Sequence, residues 1–128
     1  MFIFLHSYLS PLIKRAFVVF CIFFFSNSVY SQNTYVPDDN FENYLEANGM
    51  GDGIALNDYV LTSNINSVTN LTVSFLSITD FTGLEDFSSL TNLDAQGNSS
   101  LSYVDLSQNI ALTDARFNSC NLNSLDVS

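Results

Sequence analysis

Apolar residues recur through the last third of the chain at fixed offsets, with polar residues between them. Residues 90–128 divide into LTNLDAQGNSS, LSYVDLSQNIA, LTDARFNSCN and LNSLDVS. Units are apolar at positions 1, 4 and 6 and carry Asn or Cys at position 9. The clearest are Leu101, Val104, Leu106 and Asn109, then Leu112, Ala115, Phe117 and Cys120. Alternation about positions 4 and 6 is the two-residue period of a strand with one buried face. In Asn92-Leu93-Asp94-Ala95-Gln96, Leu93 and Ala95 then point inward, and Asn92, Asp94 and Gln96 point to solvent. One such strand cannot bury its apolar face alone, so the copies are expected to stack as parallel strands about 4.8 Å apart. Asn at position 9 lies where the chain leaves the strand, and when buried it bonds the turn backbone of its own coil and the next. Cys120 fits the same niche as a compact, mostly buried residue.

Leu90 and Leu112 lie 22 residues apart, and Leu101 and Leu122 lie 21 apart, so each full unit holds two half-units of the same pattern. No half-unit has the i, i+3, i+4, i+7 spacing of a helix, which implies a short strand on both flanks of every coil. The pattern already begins at Val68, Leu71, Val73, Leu76 and Ile78, with Leu76 in the Asn position. Residues 80–87 are irregular, and a turn at Gly83 followed by a short helical piece is expected there. The spacing L-x-x-L-x-L-x-x-N/C-x-L is that of a leucine-rich repeat, with about three coils present. The expected fold is a mainly β solenoid of short parallel strands with an N-terminal α-helical cap.

The cap is read from residues 33–53. Tyr35-Val36-Pro37 is extended, because proline pushes its predecessor out of the helical region. Asp38-Asp39-Asn40 offers N-caps and an acidic first turn. Phe41, Tyr44 and Leu45 follow on one face, predicting a helix over residues 39–47 that ends at Asn48-Gly49. Its apolar stripe is expected to cover the first coil. The following Asn48-Gly49-Met50-Gly51-Asp52-Gly53-Ile54 loosely matches a calcium loop. Met50 falls where an oxygen ligand belongs, however, and Tyr59 stands in place of the closing Glu. A Gly-rich turn is the better account, so no metal or cofactor is expected.

Hydrophobic content of 47% is concentrated at the front, where residues 16–25 form an uninterrupted apolar run after Lys14 and Arg15. Small and polar residues follow to Ser31. This order predicts a cleaved signal peptide over residues 1–31, the run being too short to span a bilayer. The expected divisions are then 1–31 signal peptide, 32–67 N-terminal cap and 68–128 repeats. Residues 32–128 hold one basic residue, Arg116, against 13 acidic ones, a net charge of −12. Such a surface excludes nucleic acid and anionic membrane as partners. Cys120 is the single cysteine after residue 31, so repeat packing rather than a disulfide must hold this exported chain. The only histidine is His6, and no G-x-S-x-G or phosphate loop is present, so an enzyme is not expected. Asn70-Leu71-Thr72 and Asn98-Ser99-Ser100 match the glycosylation sequon and read as chance.

The stretches YVPDDNFENYLEANGMGDG, DYVLTSNINSVTNLTV, ITDFTGLEDFSSLTNLD and LDVS resemble secreted bacterial leucine-rich repeat proteins with nested repeats, and FTGLEDFSSLTNL is similar to internalin-type repeats. The resemblance covers residues 33–128. It implies a non-enzymatic recognition module, secreted or on the bacterial cell surface, binding a protein or glycan through its solenoid face. The alternative is a structural or calcium-stabilised spacer of a larger surface protein. Family members carry more repeats, so a fragment truncated without its C-terminal cap is expected, with an uncovered last edge prone to edge-to-edge self-association. The expected face comprises Asn92, Asp94, Gln96, Tyr103, Asp105, Asp114, Arg116, Asn118 and Asp126. Asp94 is expected to pair across coils with Arg116, while Asp105 and Asp126 repel.

Overall fold

The computed structural model describes residues 32–128. The signal-peptide reading falls on residues 1–31, outside them. Strand β1 (Asn33–Tyr35) comes first, then helix α1 (Asp39–Ala47), strand β2 (Tyr59–Leu61) and the single turn α2 (Thr62–Ile65). Five three-residue strands follow: β3 (Asn70–Thr72), β4 (Asn92–Asp94), β5 (Tyr103–Asp105), β6 (Asp114–Arg116) and β7 (Ser124–Asp126). A 3₁₀ turn, Leu84–Asp86, sits between β3 and β4.

The result is a set of small sheets with few helices. β3, β4 and β6 form one parallel sheet, in register Asn70 to Asn92 to Asp114. β5 and β7 form a second, with Tyr103 opposite Ser124 and Asp105 opposite Asp126. Paired strands therefore lie one repeat apart, as the spacing requires, and the half-units between them build the opposite flank. Leu71, Leu93, Ala95, Val104 and Leu106 are all buried in a core shared with the cap. Burial fades towards β6 and β7, where Ala115 and Leu125 are exposed. Both are inward positions, and among the described residues no further strand stacks on them.

Each strand of the β3-β4-β6 sheet exits through a left-handed residue, with φ of 60° at Phe75, 72° at Gly97 and 62° at Ser119. Glycine suits this exit at residue 97. A Cβ there would run into the exposed Phe75 ring, besides the cost of its backbone conformation. The next residue enters the core: Asn98 is fully buried, and its Oδ1 accepts from the N–H groups of Leu76 (3.3 Å) and Ile78 (3.0 Å). Its Nδ2 donates to the carbonyls of Val73 (2.9 Å) and Ala95 (2.8 Å). Asn98 thus bonds its own coil and the preceding one. The expectation of a bond to the next coil is corrected, because the chain advances past the side chain before it returns. Asn109 reaches back likewise, to the carbonyls of Leu84 and Phe87. Cys120, half-buried, donates its thiol to Ala95 O at 3.2 Å. The sequon at Asn98 is closed to modification in the folded chain, since its amide is buried and bonded on both sides.

Helix α1 has the bounds that its apolar spacing implies. Asp38 caps it, accepting from the Asn40 and Phe41 N–H groups at 3.0 Å each. Phe41 and Leu45 are buried, and the Phe41 ring meets Phe81 edge-on at 5.2 Å and Phe87 at 6.2 Å. The helix therefore lies on the first repeat. Two features of this region have no periodic signature. β1 and β2 pair antiparallel, and Glu42 is fully buried while accepting from the Asn57 and Asp58 N–H groups.

Candidate functional site

A groove of about 740 Å³ opens beside β5, lined by residues 79–82, Glu85, residues 102–105, Ser107 and Gln108. Its origin is one failed half-unit. Thr82, Gly83 and Leu84 occupy the offsets that Val104, Asp105 and Leu106 fill 22 residues later, yet they form no strand. Gly83 has φ 101° and presses against the cap, where a Cβ would meet Val36 Cγ2 at 2.7 Å and Tyr35 O at 2.8 Å. Asp38 fixes the same segment through its second oxygen, accepting from Thr79 N (2.8 Å), Thr79 Oγ1 (2.9 Å) and Asp80 N (3.3 Å). The cap thus draws residues 79–85 into a turn, and β5 keeps a strand neighbour on its β7 side alone.

Ser102 O and Leu106 N–H both bond the β7 segment. Bonding directions alternate along a strand, so the N–H and C=O of Tyr103 and Asp105 face the groove. Among the described residues they have no backbone partner. Buried Phe81 and Val104 form the bottom, and Tyr103 is 52% exposed. Three exposed carboxylates line the groove, each with one oxygen already held. Asp80 Oδ1 accepts from Thr82 N (2.7 Å), Glu85 Oε2 from Gly83 N (2.8 Å), and Asp105 Oδ1 from Ser107 N (2.8 Å). Their second oxygens have no protein donor among the described residues. Partial desolvation, then the charges of Asp105 and Asp126, raise the Tyr103 hydroxyl above its ordinary value.

The opposite flank is closed upon itself. Asp94 accepts from Ser74 Oγ (2.6 Å) and from Gln96 Nε2 at both oxygens (2.9 Å each), and these donors, Ser74 first, hold its carboxyl below the ordinary value. Asn118 donates to Gln96 Oε1 at 3.2 Å. Arg116 bonds Asp114 of its own strand at 2.9 Å, which corrects the expected pairing with Asp94. Asp94 lies opposite Arg116 in register and feels its charge, but its hydrogen bonds go to the neutral donors of Ser74 and Gln96. Asn92, Asp94, Asp114 and Arg116 line only a shallow depression of about 160 Å³.

Of the expected face, Tyr103 and Asp105 therefore line the groove, and Asp126 sits opposite Asp105 on the next strand. Asn92, Asp94, Gln96, Asp114, Arg116 and Asn118 belong to the other flank. Asp80, Phe81, Thr82 and Glu85 were absent from that expectation. Their only sequence signal is the turn chemistry of Asp80-Phe81-Thr82-Gly83, which does not say what the turn lies against.

The Gly-rich loop is secured by side chains. Glu46 accepts from Asp52 N at 2.7 Å and from Gly53 N at 3.1 Å, and Asp52 accepts from Ile54 N and Asn57 Nδ2. Asp39, Glu42 and Asp58 bring one carboxylate oxygen each within 4.8 Å of the others. Both oxygens of Glu42 already accept backbone N–H groups, which leaves Asp39 and Asp58 as the carboxylates of this cluster without a protein donor among the described residues.

No family model and no curated protein matches the sequence. Among solved structures, the chain is similar to the functional domain of InlJ from Listeria monocytogenes, described as including a cysteine ladder. Identity is 22% and the TM-score 0.43. The alignment covers 77% of this chain and 29% of that one.

Proposed function

We propose that residues 32–128 are a leucine-rich repeat solenoid with an N-terminal cap, part of an exported bacterial protein, secreted or held at the cell surface. Its activity is non-enzymatic recognition of a protein or glycan. The observation that carries this reading is the groove beside β5, where an aromatic ring, free carboxylate oxygens and an open strand edge converge. Chemistry of bond cleavage has no support there. The groove is lined by no His, Lys, Arg or Cys, and its carboxylates are exposed to solvent. Recognition needs only shape and complementary charge, which the groove has.

The test is binding of the exported chain to peptide and glycan arrays, repeated with Tyr103→Ala and with Asn92→Ala/Asn118→Ala. A ligand lost with the first variant and kept with the second supports recognition through the groove. Hits indifferent to both variants count against it. A calcium-stabilised spacer is the second reading, favoured by the proximity of Asp39, Glu42 and Asp58. It requires calcium to raise the melting temperature by several degrees, whereas the recognition reading expects no change.

A further inference from the structure

We propose that the groove takes an extended, basic segment of a protein partner, which adds alongside β5 and places a lysine or arginine among Tyr103, Asp80, Glu85 and Asp105. This rests on the recognition reading and names the chemistry of its partner.

Three observations converge on a peptide. The open edge of β5 presents the N–H and C=O groups of Tyr103 and Asp105, which another strand satisfies directly. A sugar can use isolated donors and acceptors but cannot continue a ladder. The sign of the charge is equally specific. Asp80, Glu85 and Asp105 line the groove, and no basic residue does. Arg116, the one basic residue of 32–128, is committed to Asp114 on the other flank. An acidic sugar is therefore repelled, and a neutral one leaves three carboxylate oxygens unused.

The carboxylates are also preorganised. Each is held through one oxygen by a backbone N–H, so the second is aimed without further loss of side-chain freedom. The half-exposed Tyr103 ring supplies an electron-rich face for an ammonium or guanidinium group. Ion pairs across this groove also relieve the repulsion between Asp105 and Asp126, which lie directly opposite each other.

The experiment is an NMR titration of the ¹⁵N-labelled exported chain at low ionic strength. The probes are acetyl-Ser-Arg-Val-Lys-Ser-amide, the same peptide with Gln at both basic positions, and a neutral N-acetylhexosamine disaccharide. The basic peptide is expected to shift the amides of residues 79–85 and 102–106 saturably, and the Gln peptide to bind about tenfold more weakly. Asp80→Asn/Glu85→Gln/Asp105→Asn should weaken the basic peptide by about tenfold. A matched loss of charge elsewhere, Asp39→Asn/Asp58→Asn/Asp114→Asn, should change binding by less than about twofold. Tyr103→Leu should cost about threefold and Tyr103→Phe nothing, because the phenyl face is retained. Equal weakening by the two triple variants would reduce the attraction to overall charge and overturn the inference. A disaccharide that shifts the groove amides, with the peptide silent, would overturn it while leaving recognition through the groove intact. Silence of every probe at the groove would overturn both.

Discussion

The two flanks of the repeat share one set of offsets but satisfy their outward side chains differently. On the β3-β4-β6 flank, Ser74 and Gln96 both donate to Asp94, Asn118 donates to Gln96, and Arg116 neutralises Asp114. On the β5-β7 flank, Asp105 and Asp126 face each other, each held only by a backbone N–H two residues on. Polar groups that bond one another make a wetted wall. Groups left with free oxygens beside an open strand edge make a surface that a partner can complete. Thr82 and Gly83 produce the difference, because they replace one strand with a turn.

The largest effect should come from reversing the inward face. Leu93 is 2% exposed in the middle strand of its sheet, while Leu125 is 44% exposed in β7. Leu93→Asp should cost several kcal/mol, and Leu125→Asp about 1 kcal/mol, by urea denaturation. Asn92→Asp, on the outward side of β4, should cost under about 0.5 kcal/mol. Equal losses for Leu93→Asp and Asn92→Asp would mean the strand register is wrong.

Next come the two buried asparagines, one serving each flank. Asn98 makes four bonds spanning two coils, whereas Asn109 Oδ1 has no partner among the described residues. Truncating Asn98 to Ala strands two N–H groups and the Val73 carbonyl, while Ala95 O keeps the Cys120 thiol, and should destabilise by about 3 kcal/mol. Asn109 makes two bonds rather than four, so Asn109→Ala should lose nearer to 1 kcal/mol. A reversed order would show that the two niches differ in packing rather than in hydrogen bonding.

Acid sensitivity sharpens the contrast. Asp94 is held below its ordinary value of 3.8 by the Ser74 and Gln96 donors, and Asp126 by the Ser128 N–H. Between the folded value and 3.8, the unfolded chain binds more protons than the folded one. The stabilisation is therefore full above 3.8 and lost as pH falls through the folded value. The melting temperature should fall over that window, and Asp94→Asn should flatten the fall. At the alkaline end, the Tyr103 hydroxyl should titrate above 10.0, and Asp105→Asn should bring it down in a spectrophotometric titration.

The smallest effects lie at the surface. Asp105→Asn removes a like-charge pair and should stabilise by a few tenths of a kcal/mol. Arg116→Gln breaks an ion pair whose side chains are 56% and 44% exposed, and should change stability by under about 0.5 kcal/mol. Thermal melts at two salt concentrations check both, and a larger loss for Arg116→Gln would mean that the β3-β4-β6 flank depends on charge more than on its neutral network.

The chain's own sequence determined whatever depends on neighbours along it. Helix α1 follows from Asp38 as cap and from Phe41, Tyr44 and Leu45 on one face. The strands follow from alternation about Leu71, Leu93, Val104, Ala115 and Leu125, and their parallel pairing follows from a constant repeat length. The turn at Gly83 was legible too, because a glycine before Leu84 breaks the strand pattern locally. Tertiary structure decided everything that depends on which segments lie side by side. β1 pairs with β2 across a loop without periodicity, and Glu42 is buried to serve that loop. Asp38 spends its second oxygen on Thr79 and Asp80, 41 and 42 residues away. The backward reach of Asn98 and the choice of Asp114 by Arg116 depend on distances that no spacing encodes. The groove is of the same kind: Tyr103 and Asp105 could be named as outward residues, but only the folded cap brings Asp80 and Glu85 beside them.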